Sequence, residues 1–427
     1  MIGPTTLDRR AALLAAAGFG ANLTFLGRCA GAAASNLARR KLVVVICRGA
    51  MDGLSVSPPI GDPDYAALRG EIALAGFDQP GGALRLDETF GLHPKLATVH
   101  ALALKGEARI APAVATPDRA RSHFEAQDVL ESGASVVYGA GSGWLNRAME
   151  ALGPRRIEAL SVGAQAPLLL RGRIQAASWS PGGLKGHDSR LPGILMDLYA
   201  NDPLLSRALA SGLQTEAMAK TAAATMVATA PMTAAPPASA MAATPQQAAA
   251  QYYRAQTGAS RQLGATLANF MIEPNGPQIA AISLDGFDTH AAQGAAEGQL
   301  ANRLAGLDAV LDGLSGGLGA EWRNTVVVVA TEFGRTARIN GTKGTDHGTA
   351  STALVLGGRL KRGGIIGDWP GLQQGRLFED RDTAPTLDMR ALFKGVLAEQ
   401  LGVDRRALDT TVFPDSARVA PVRGLAA

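Results

Sequence analysis

Several stretches of the chain are continuous runs of apolar and β-branched residues. They are Lys41–Cys47, Ala108–Ala115, Gln278–Leu284, Thr325–Thr331 and Thr352–Leu356. Strands buried on both faces have this character, whereas half-exposed strands alternate apolar and polar residues. Residues 299–314 place apolar side chains at three- and four-residue spacing, which predicts a helix with one apolar face. The alternation of strands and helices predicts an α/β fold with a doubly wound, mostly parallel sheet flanked by helices.

Residues 217–250 break this alternation. They consist mainly of Ala, Thr, Met and Pro and carry almost no charge. Such a composition is typical of a surface insertion or a mobile linker rather than a core element. Because predicted strands lie on both sides of it, we expect one domain over residues 41–420 with an insertion at 217–250, not two independent domains.

The first residues have the pattern of a targeting segment. Paired arginines, Arg9 and Arg10, precede a mild apolar run over residues 11–17, and small residues follow at 32–34. This order is typical of a twin-arginine export signal, so we expect residues 1–34 to engage that export machinery and the mature protein to be periplasmic or secreted. An ordinary amphipathic first helix is the alternative. The apolar run is too short and too rich in Ala and Gly to span a bilayer, and no later stretch predicts an integral membrane span.

Charge excludes one class of partner. The formal net charge is +4, and it falls to about +2 without residues 1–34. No basic run is interleaved with aromatic residues. A field this weak does not favour phosphate backbones, so we expect no nucleic-acid partner.

Acidic and imidazole side chains follow the predicted strands, at the ends where ligands bind in open α/β sheets. Those after strands are Asp52, Asp285, Asp288, His290 and Glu332, and His347 opens the loop that enters the last strand. Carboxylates and imidazoles gathered at one place repel or desolvate one another unless a cation lies among them. The sequence therefore predicts a divalent metal ion. The imidazoles favour Zn²⁺ or Mn²⁺, and the carboxylates also tolerate Mg²⁺ or Ca²⁺.

Each of these residues alone has an ordinary explanation. A single Asp after a strand is usually a turn former or a helix cap, and a lone His usually makes ordinary hydrogen bonds. The metal hypothesis depends on several strand ends carrying ligand chemistry together.

Short motifs extend over nearly the whole mature chain. They are Arg48–Ser55, Phe90–Pro94, Ser122–Asp128, Gly143–Arg147, Asp285–His290, Thr331–Thr336 and Gly344–Gly348. With them the sequence resembles the bacterial domain-of-unknown-function family 1501, and their order resembles that of the alkaline-phosphatase superfamily, which includes sulfatases and phosphopentomutases. The resemblance implies an alkaline-phosphatase-like fold and a metal-dependent hydrolase of phosphate or sulfate esters. Its substrate would be a small anionic ester or a sulfated or phosphorylated glycan.

The resemblance also implies metal ligands. Asp52 resembles the superfamily's first metal-binding Asp, and His347 resembles its late His. Asp285 or Asp288, together with His290, resembles the middle Asp/His pair.

One position departs from the superfamily pattern. Glu332 occupies the place of an Asp that is normally followed by His, but Phe333 follows here. A complete two-metal site is thereby put in doubt. A single metal and a second site completed by His123 are both open.

Ser122 occupies the place of the superfamily's nucleophile, at the start of a helix predicted over Phe124–Leu130. A helix N-terminus offers free N–H groups and a positive dipole to an anionic ester, and a metal would activate the hydroxyl. The alternative is that Ser122 merely caps the helix. Ser55, near Asp52, is a poorer candidate for the nucleophile.

Arginines near these motifs are candidates for holding the oxygens of the ester. They are Arg335, Arg48 and Arg121. A rival function is a non-catalytic envelope protein of the same fold, which would bind glycan or protein and hold at most a structural metal. Phe333 in a ligand position favours this rival.

Overall fold

The predicted apolar runs form the centre of an eight-stranded sheet. In this computed structural model, the described residues are 37, 39–153, 158–163, 166–179, 196, 199, 202 and 245–427. The predicted export signal and all but the last residues of the predicted insertion lie outside them. Lys41–Ala427 form one unit.

The sheet has the strand order β10-β4-β9-β8-β1-β7-β5-β6, and a separate two-stranded ribbon pairs β2 with β3. The strands are β1 (Lys41–Cys47), β2 (Leu84–Arg85), β3 (Gly91–Leu92), β4 (Ala108–Ala115), β5 (Ala159–Val162), β6 (Ala177–Trp179), β7 (Ile279–Leu284), β8 (Thr325–Ala330), β9 (Ser351–Leu356) and β10 (Leu387–Asp388). All neighbours in the large sheet pair in parallel except those of β9. The predicted mostly parallel α/β sheet is confirmed.

Helices lie between the strands. They are α1 (Gly53–Val56), α2 (Tyr65–Arg69), α3 (Ala97–Lys105), α4 (His123–Ser132), α5 (Trp144–Ala151), α6 (Pro245–Ile272), α7 (Gln299–Leu318), α8 (Met389–Val396) and α9 (Arg405–Ala407). Short 3₁₀ segments cover Gly70–Ile72, Leu168–Leu170 and Gly319–Asn324, and π segments cover Leu397–Leu401 and Leu408–Val412. No helix in the described ranges has the length and apolarity that a bilayer span requires.

Both faces of the sheet are buried. Alternate residues of β1 belong to different clusters: Val44 packs in the cluster that contains Trp144 of α5, and Val43 packs in the cluster that contains Leu307 of α7. Complete burial of one such aliphatic side chain stabilises the fold by about 1.5–3 kcal/mol. This two-sided packing is the reason that the central strands are apolar throughout.

Strand β9 is antiparallel to both β4 and β8. Its first residues therefore lie at the edge where the parallel strands β1, β7 and β8 end. The loop that enters β9 carries His347. The reversed strand thus brings His347 to the carboxyl edge although His347 precedes its strand.

Candidate metal centre

Loops from four strands meet at the carboxyl edge, and two glycines allow them to come close. Gly49 has φ of 108°, and a Cβ there would lie 2.5 Å from the backbone nitrogen of Asp288. A Cβ at Gly344 would lie 2.3 Å from the carbonyl oxygen of His290. Any side chain at these two positions would push the Asp288–His290 loop away from its neighbours.

Three imidazoles and one carboxylate converge where these loops meet. The Nε2 atom of His347 lies 3.1 Å from Nε2 of His123 and 3.0 Å from Nε2 of His290. The Asp288 carboxylate lies 3.4 Å from Nε2 of His123, 3.0 Å from that of His290 and 3.3 Å from that of His347. His123 begins α4, Asp288 and His290 follow β7, and His347 precedes β9.

These separations suit a small cation. Zn–N bonds of about 2.0–2.1 Å in a tetrahedral site place neighbouring ligand atoms about 3.3 Å apart. Within the described residues, ligand atoms of His123, Asp288 and His347 all lie within 4.8 Å of one another. His290 adds a fourth candidate ligand through its contacts with Asp288 and His347. The donor set of imidazole nitrogens and one carboxylate therefore fits a divalent transition metal.

The other ring nitrogen of each histidine faces an oxygen. Nδ1 of His123 lies 2.8 Å from Oε1 of Glu332, and Nδ1 of His347 lies 2.9 Å from the carbonyl oxygen of Arg121. Nδ1 of His290 lies 3.3 Å from Oδ1 of Asp346. Metal-binding histidines are usually oriented in this way, because the Nδ1–H donor leaves the Nε2 lone pair for the metal. Three Nε2 lone pairs that face one another need a shared cation or a proton between them.

Neighbouring charges and burial shift the pKa values of three members of the cluster. Burial alone would raise the pKa of Asp288, but the hydrogen bond and charge of Arg335 outweigh it and hold that pKa below its usual value. Burial lowers the pKa of His347, which favours the neutral imidazole that binds metal. The hydrogen bond from His123 to Glu332 raises the pKa of His123.

Glu332 lies behind the cluster. Its Oε1 is 2.8 Å from Nδ1 of His123 and also accepts hydrogen bonds from the backbone N–H of Gly49 and the amide of Gln127. Burial alone would raise the pKa of Glu332, yet these hydrogen bonds keep it below its usual value. Glu332 thus contacts a candidate ligand, and its oxygens are engaged away from the Nε2 atoms.

Asp52 lies in a buried hydrogen-bond network behind the cluster. Its carboxylate pairs with the fully buried guanidinium of Arg69 and accepts hydrogen bonds from Ser55 at 2.9 Å and Gln293 at 2.6 Å. It also caps α1 through the N–H of Leu54. The structure therefore does not bring Asp52 to the three imidazoles, and its partners account for its burial.

This arrangement predicts a stability role for Asp52. We expect Asp52→Asn to lower the free energy of unfolding by about 3–5 kcal/mol, because the buried charge of Arg69 loses its partner. Urea unfolding measures the change. The exposed pair of Arg85 with Asp78 supplies a control, since Asp78→Asn should change stability by less than about 1 kcal/mol. Equal stability losses in the two variants would contradict the prediction.

Two further predicted site residues also have other surroundings. Asp285 is exposed and lines a pocket beside the cluster. The Arg335 side chain is fully buried, and it donates to Asp288 at 2.6 Å and to the Thr345 hydroxyl at 3.1 Å. Of the two aspartates considered with His290, the structure brings Asp288 to the cluster. Arg335 binds the Asp288 carboxylate from the buried side, and its guanidinium is not exposed to a bound ester.

The other candidate arginines are also paired. Arg48 donates to Gln127 at 2.5 Å and pairs with Glu131. Arg121 pairs with Glu379 at 2.5 Å and with Asp382 at 2.8 Å.

Ser122 stands immediately before α4, next to His123. Its backbone is extended, with φ of −100° and ψ of 124°, and its side chain makes no capping hydrogen bond to the helix. The half-buried hydroxyl therefore does not perform the capping role that would explain a serine at this position.

Three groups at this site were not singled out by the sequence. Gln127 follows His123 by one helical turn and donates to Glu332 at 3.2 Å, a relation that four-residue spacing on a predicted helix could have indicated. Asp346 adjoins His347 in the chain. The carbonyl oxygen of Arg121 belongs to the backbone, so no side-chain pattern could have indicated it.

Phe333 forms an apolar wall of the site. The centroid of its ring lies 4.9 Å from that of the His123 ring and 5.0 Å from that of the His347 ring.

Fold and site together define an α/β protein with a candidate metal centre at the carboxyl edge of its sheet. The chain belongs to the family described as "Protein of unknown function (DUF1501)", whose model matches residues 39–412. The predicted family membership is confirmed.

Several solved structures are similar to this chain at low sequence identity. Ps i-CgsB in complex with k-i-k-neocarrahexaose has 9% identity and a TM-score of 0.40, with 90% of this chain and 77% of that chain covered. The phosphonate monoester hydrolase of Agrobacterium radiobacter has 10% identity and a TM-score of 0.33, with 74% and 68% covered. A TAB5 alkaline phosphatase mutant with bound Mg has 12% identity and a TM-score of 0.33, with 76% and 93% covered. Similarities this distant do not assign a substrate or a mechanism to this chain.

Among curated protein sequences, none matches this chain significantly.

Proposed function

We propose that this protein is an exported metal-dependent hydrolase of phosphate or sulfate esters. One observation carries the proposal: the Nε2 atoms of His123, His290 and His347 converge with the Asp288 carboxylate, and each Nδ1 faces an oxygen. Side chains from three separate parts of the chain thus place three imidazole nitrogens and one carboxylate at a single point, which is the geometry that metal binding needs.

In this proposal His123, Asp288 and His347 hold one divalent ion, and His290 is the fourth ligand. Neutral imidazoles and a single carboxylate leave a net charge of about +1 on a divalent centre, which attracts an anionic ester. The nitrogen-rich donor set favours Zn²⁺ or Mn²⁺. When bound, such an ion polarises an ester oxygen and lowers the pKa of a nearby hydroxyl.

We propose one metal rather than two. Glu332 faces Nδ1 of His123, and Phe333 packs against the rings of His123 and His347. The Asp52 carboxylate forms a buried ion pair with Arg69. The residues that a second ion would need are thus engaged in other contacts.

Ser122 is the proposed nucleophile. It adjoins a candidate ligand at the N-terminus of α4, where free N–H groups favour anionic oxygens, and its hydroxyl is not used as a cap. Its oxygen would attack the phosphorus or sulfur atom as the bond to the alcohol breaks, and the proton that the serine hydroxyl loses would pass to the departing alcohol oxygen. Water would then release phosphate or sulfate from the serine.

Elemental analysis of protein purified from its native compartment, together with a screen of phosphate and sulfate esters, tests the proposal. We expect about one equivalent of divalent metal per chain and turnover of at least one ester class, lost with a chelator and restored by metal. Metal without any turnover would favour the rival, a non-catalytic envelope protein that binds glycan or protein. Protein that never contains a divalent metal would rule out both the metal centre and the hydrolase.

Export is tested separately. We expect the mature chain to start near Ser35 and the Arg9→Lys, Arg10→Lys variant to stay inside the cell, because the export machinery recognises paired arginines. Cell fractionation and N-terminal sequencing measure both outcomes. A second arginine pair, Arg39 and Arg40, lies beyond the expected cleavage point. As the control, the Arg39→Lys, Arg40→Lys variant should be exported like the wild-type protein. Unchanged export of the Arg9/Arg10 variant would show that the segment is not a twin-arginine signal.

A further inference from the structure

An open pocket of about 560 Å³ adjoins the candidate metal centre. One face of α4 lines it through Phe124, Gln127, Asp128 and Glu131, which recur at helical spacing. The same helix begins with His123 of the cluster. Gln127 joins the two regions, since its side chain contacts Glu332 on one side and Arg48 on the other.

The charges of the described pocket lining disfavour two kinds of ligand. Among the residues that the structure describes, the charged lining of the pocket consists of Arg48, Arg171, Asp128, Glu131 and Asp285, which together carry a formal charge of about −1. Arg48 is already paired with the buried carboxylate of Glu131. A ligand that brings an anionic group into this pocket is therefore disfavoured. A purely apolar ligand is disfavoured as well, because it would leave these charged groups without water or partners.

Two exposed aromatic rings line the same pocket. Phe124 is 85% exposed and Tyr138 is 76% exposed. Tyr138 has φ of 56°, a left-handed conformation that is uncommon for such a bulky residue, and its backbone N–H donates to the Asp128 carboxylate at 2.7 Å. Residues in such uncommon backbone conformations cluster at functional sites, which makes the exposed ring of Tyr138 a candidate ligand contact.

We propose that this pocket binds a neutral carbohydrate unit, the organic part of the ester. A sugar ring offers an apolar C–H face to Phe124 and Tyr138, and its hydroxyls can both donate to carboxylates and accept from guanidinium groups. The role as a substrate subsite rests on the proposed hydrolase function. Sugar binding itself can be measured without turnover.

Saturation-transfer NMR with cellohexaose, maltohexaose and chitohexaose tests the assignment on the full mature chain. We expect at least one of these neutral oligosaccharides to bind, and Phe124→Ala and Tyr138→Ala each to weaken its affinity by about three- to tenfold. Phe124→Tyr should retain binding. Leu104→Ala removes a side chain that is 70% exposed on α3 and should leave binding unchanged.

Three results would overturn the proposal. They are no binding of any neutral hexasaccharide to the wild-type protein, equal binding by wild type and both alanine variants, and binding only of an anionic hyaluronan hexasaccharide. Failure of the hydrolase function gives a different pattern, because aromatic-dependent sugar binding would then persist in a protein that turns over no ester.

Discussion

His347→Ala is expected to remove most of the divalent metal from the purified protein and to raise the dissociation constant for Zn²⁺ by more than about 100-fold. Loss of a partner behind a ligand already costs about 10–100-fold in affinity, so loss of a ligand should exceed that range. His347 is central to the cluster, since its Nε2 lies within 3.1 Å of the Nε2 atoms of His123 and His290. Elemental analysis and metal titration measure the effect.

Two variants calibrate this result. Glu332→Gln removes the charge of the partner of His123 Nδ1 but no candidate ligand, and it should weaken metal binding by about 10–100-fold without abolishing it. His100→Ala removes an imidazole of α3 whose Nε2 contacts the carbonyl oxygen of Arg85, and metal content should not change. Full metal content in the His347→Ala protein would show that the three imidazoles do not form the site.

Ser122→Ala is expected to reduce turnover by at least about 1000-fold while metal content and melting temperature stay nearly unchanged. The hydroxyl makes no capping hydrogen bond, so its loss should cost the fold little. A capping role predicts the reverse: a stability loss of about 0.5–2 kcal/mol with turnover retained. Steady-state kinetics and thermal melting of the same preparation distinguish the two.

Ser55 is the matched control for the nucleophile. It is buried and bonds Asp52 at 2.9 Å and Arg69 at 3.0 Å, so Ser55→Ala should lower stability while each folded molecule retains its turnover. Full activity of Ser122→Ala would exclude Ser122 as the nucleophile. Loss of activity in a folded Ser55→Ala protein would move the nucleophile to the poorer candidate.

The amino-acid pattern alone determined the central sheet. The apolar runs at β1, β4, β7, β8 and β9 match the observed strands to within one residue at each end. Burial of both sheet faces leaves no polar alternation, so these strands can be identified from local composition. The helix predicted over 299–314 lies within α7 for the same reason, because a periodic apolar face records one-sided packing.

Local pattern also indicated which residue types lie near the carboxyl edge, since parallel strands deliver their following loops to one side of the sheet. It did not indicate the direction of β9. Apolar composition is the same for a parallel and an antiparallel buried strand. Only the tertiary structure shows that β9 runs antiparallel to its neighbours. Because of this reversal, His347, which precedes β9, lies beside the histidines that follow other strands.

Partner choice among the charged residues was likewise decided in three dimensions. Asp52 and Asp288 both follow strands, yet Asp52 is neutralised by Arg69 whereas Asp288 is held by Arg335 beside three imidazoles. Glu332 and Asp288 are both acidic, yet one lies behind His123 and the other among the Nε2 atoms. A side chain's type sets what it can bind. Which group it meets within about 3 Å depends on loops that are distant in sequence, and no local pattern encodes those distances.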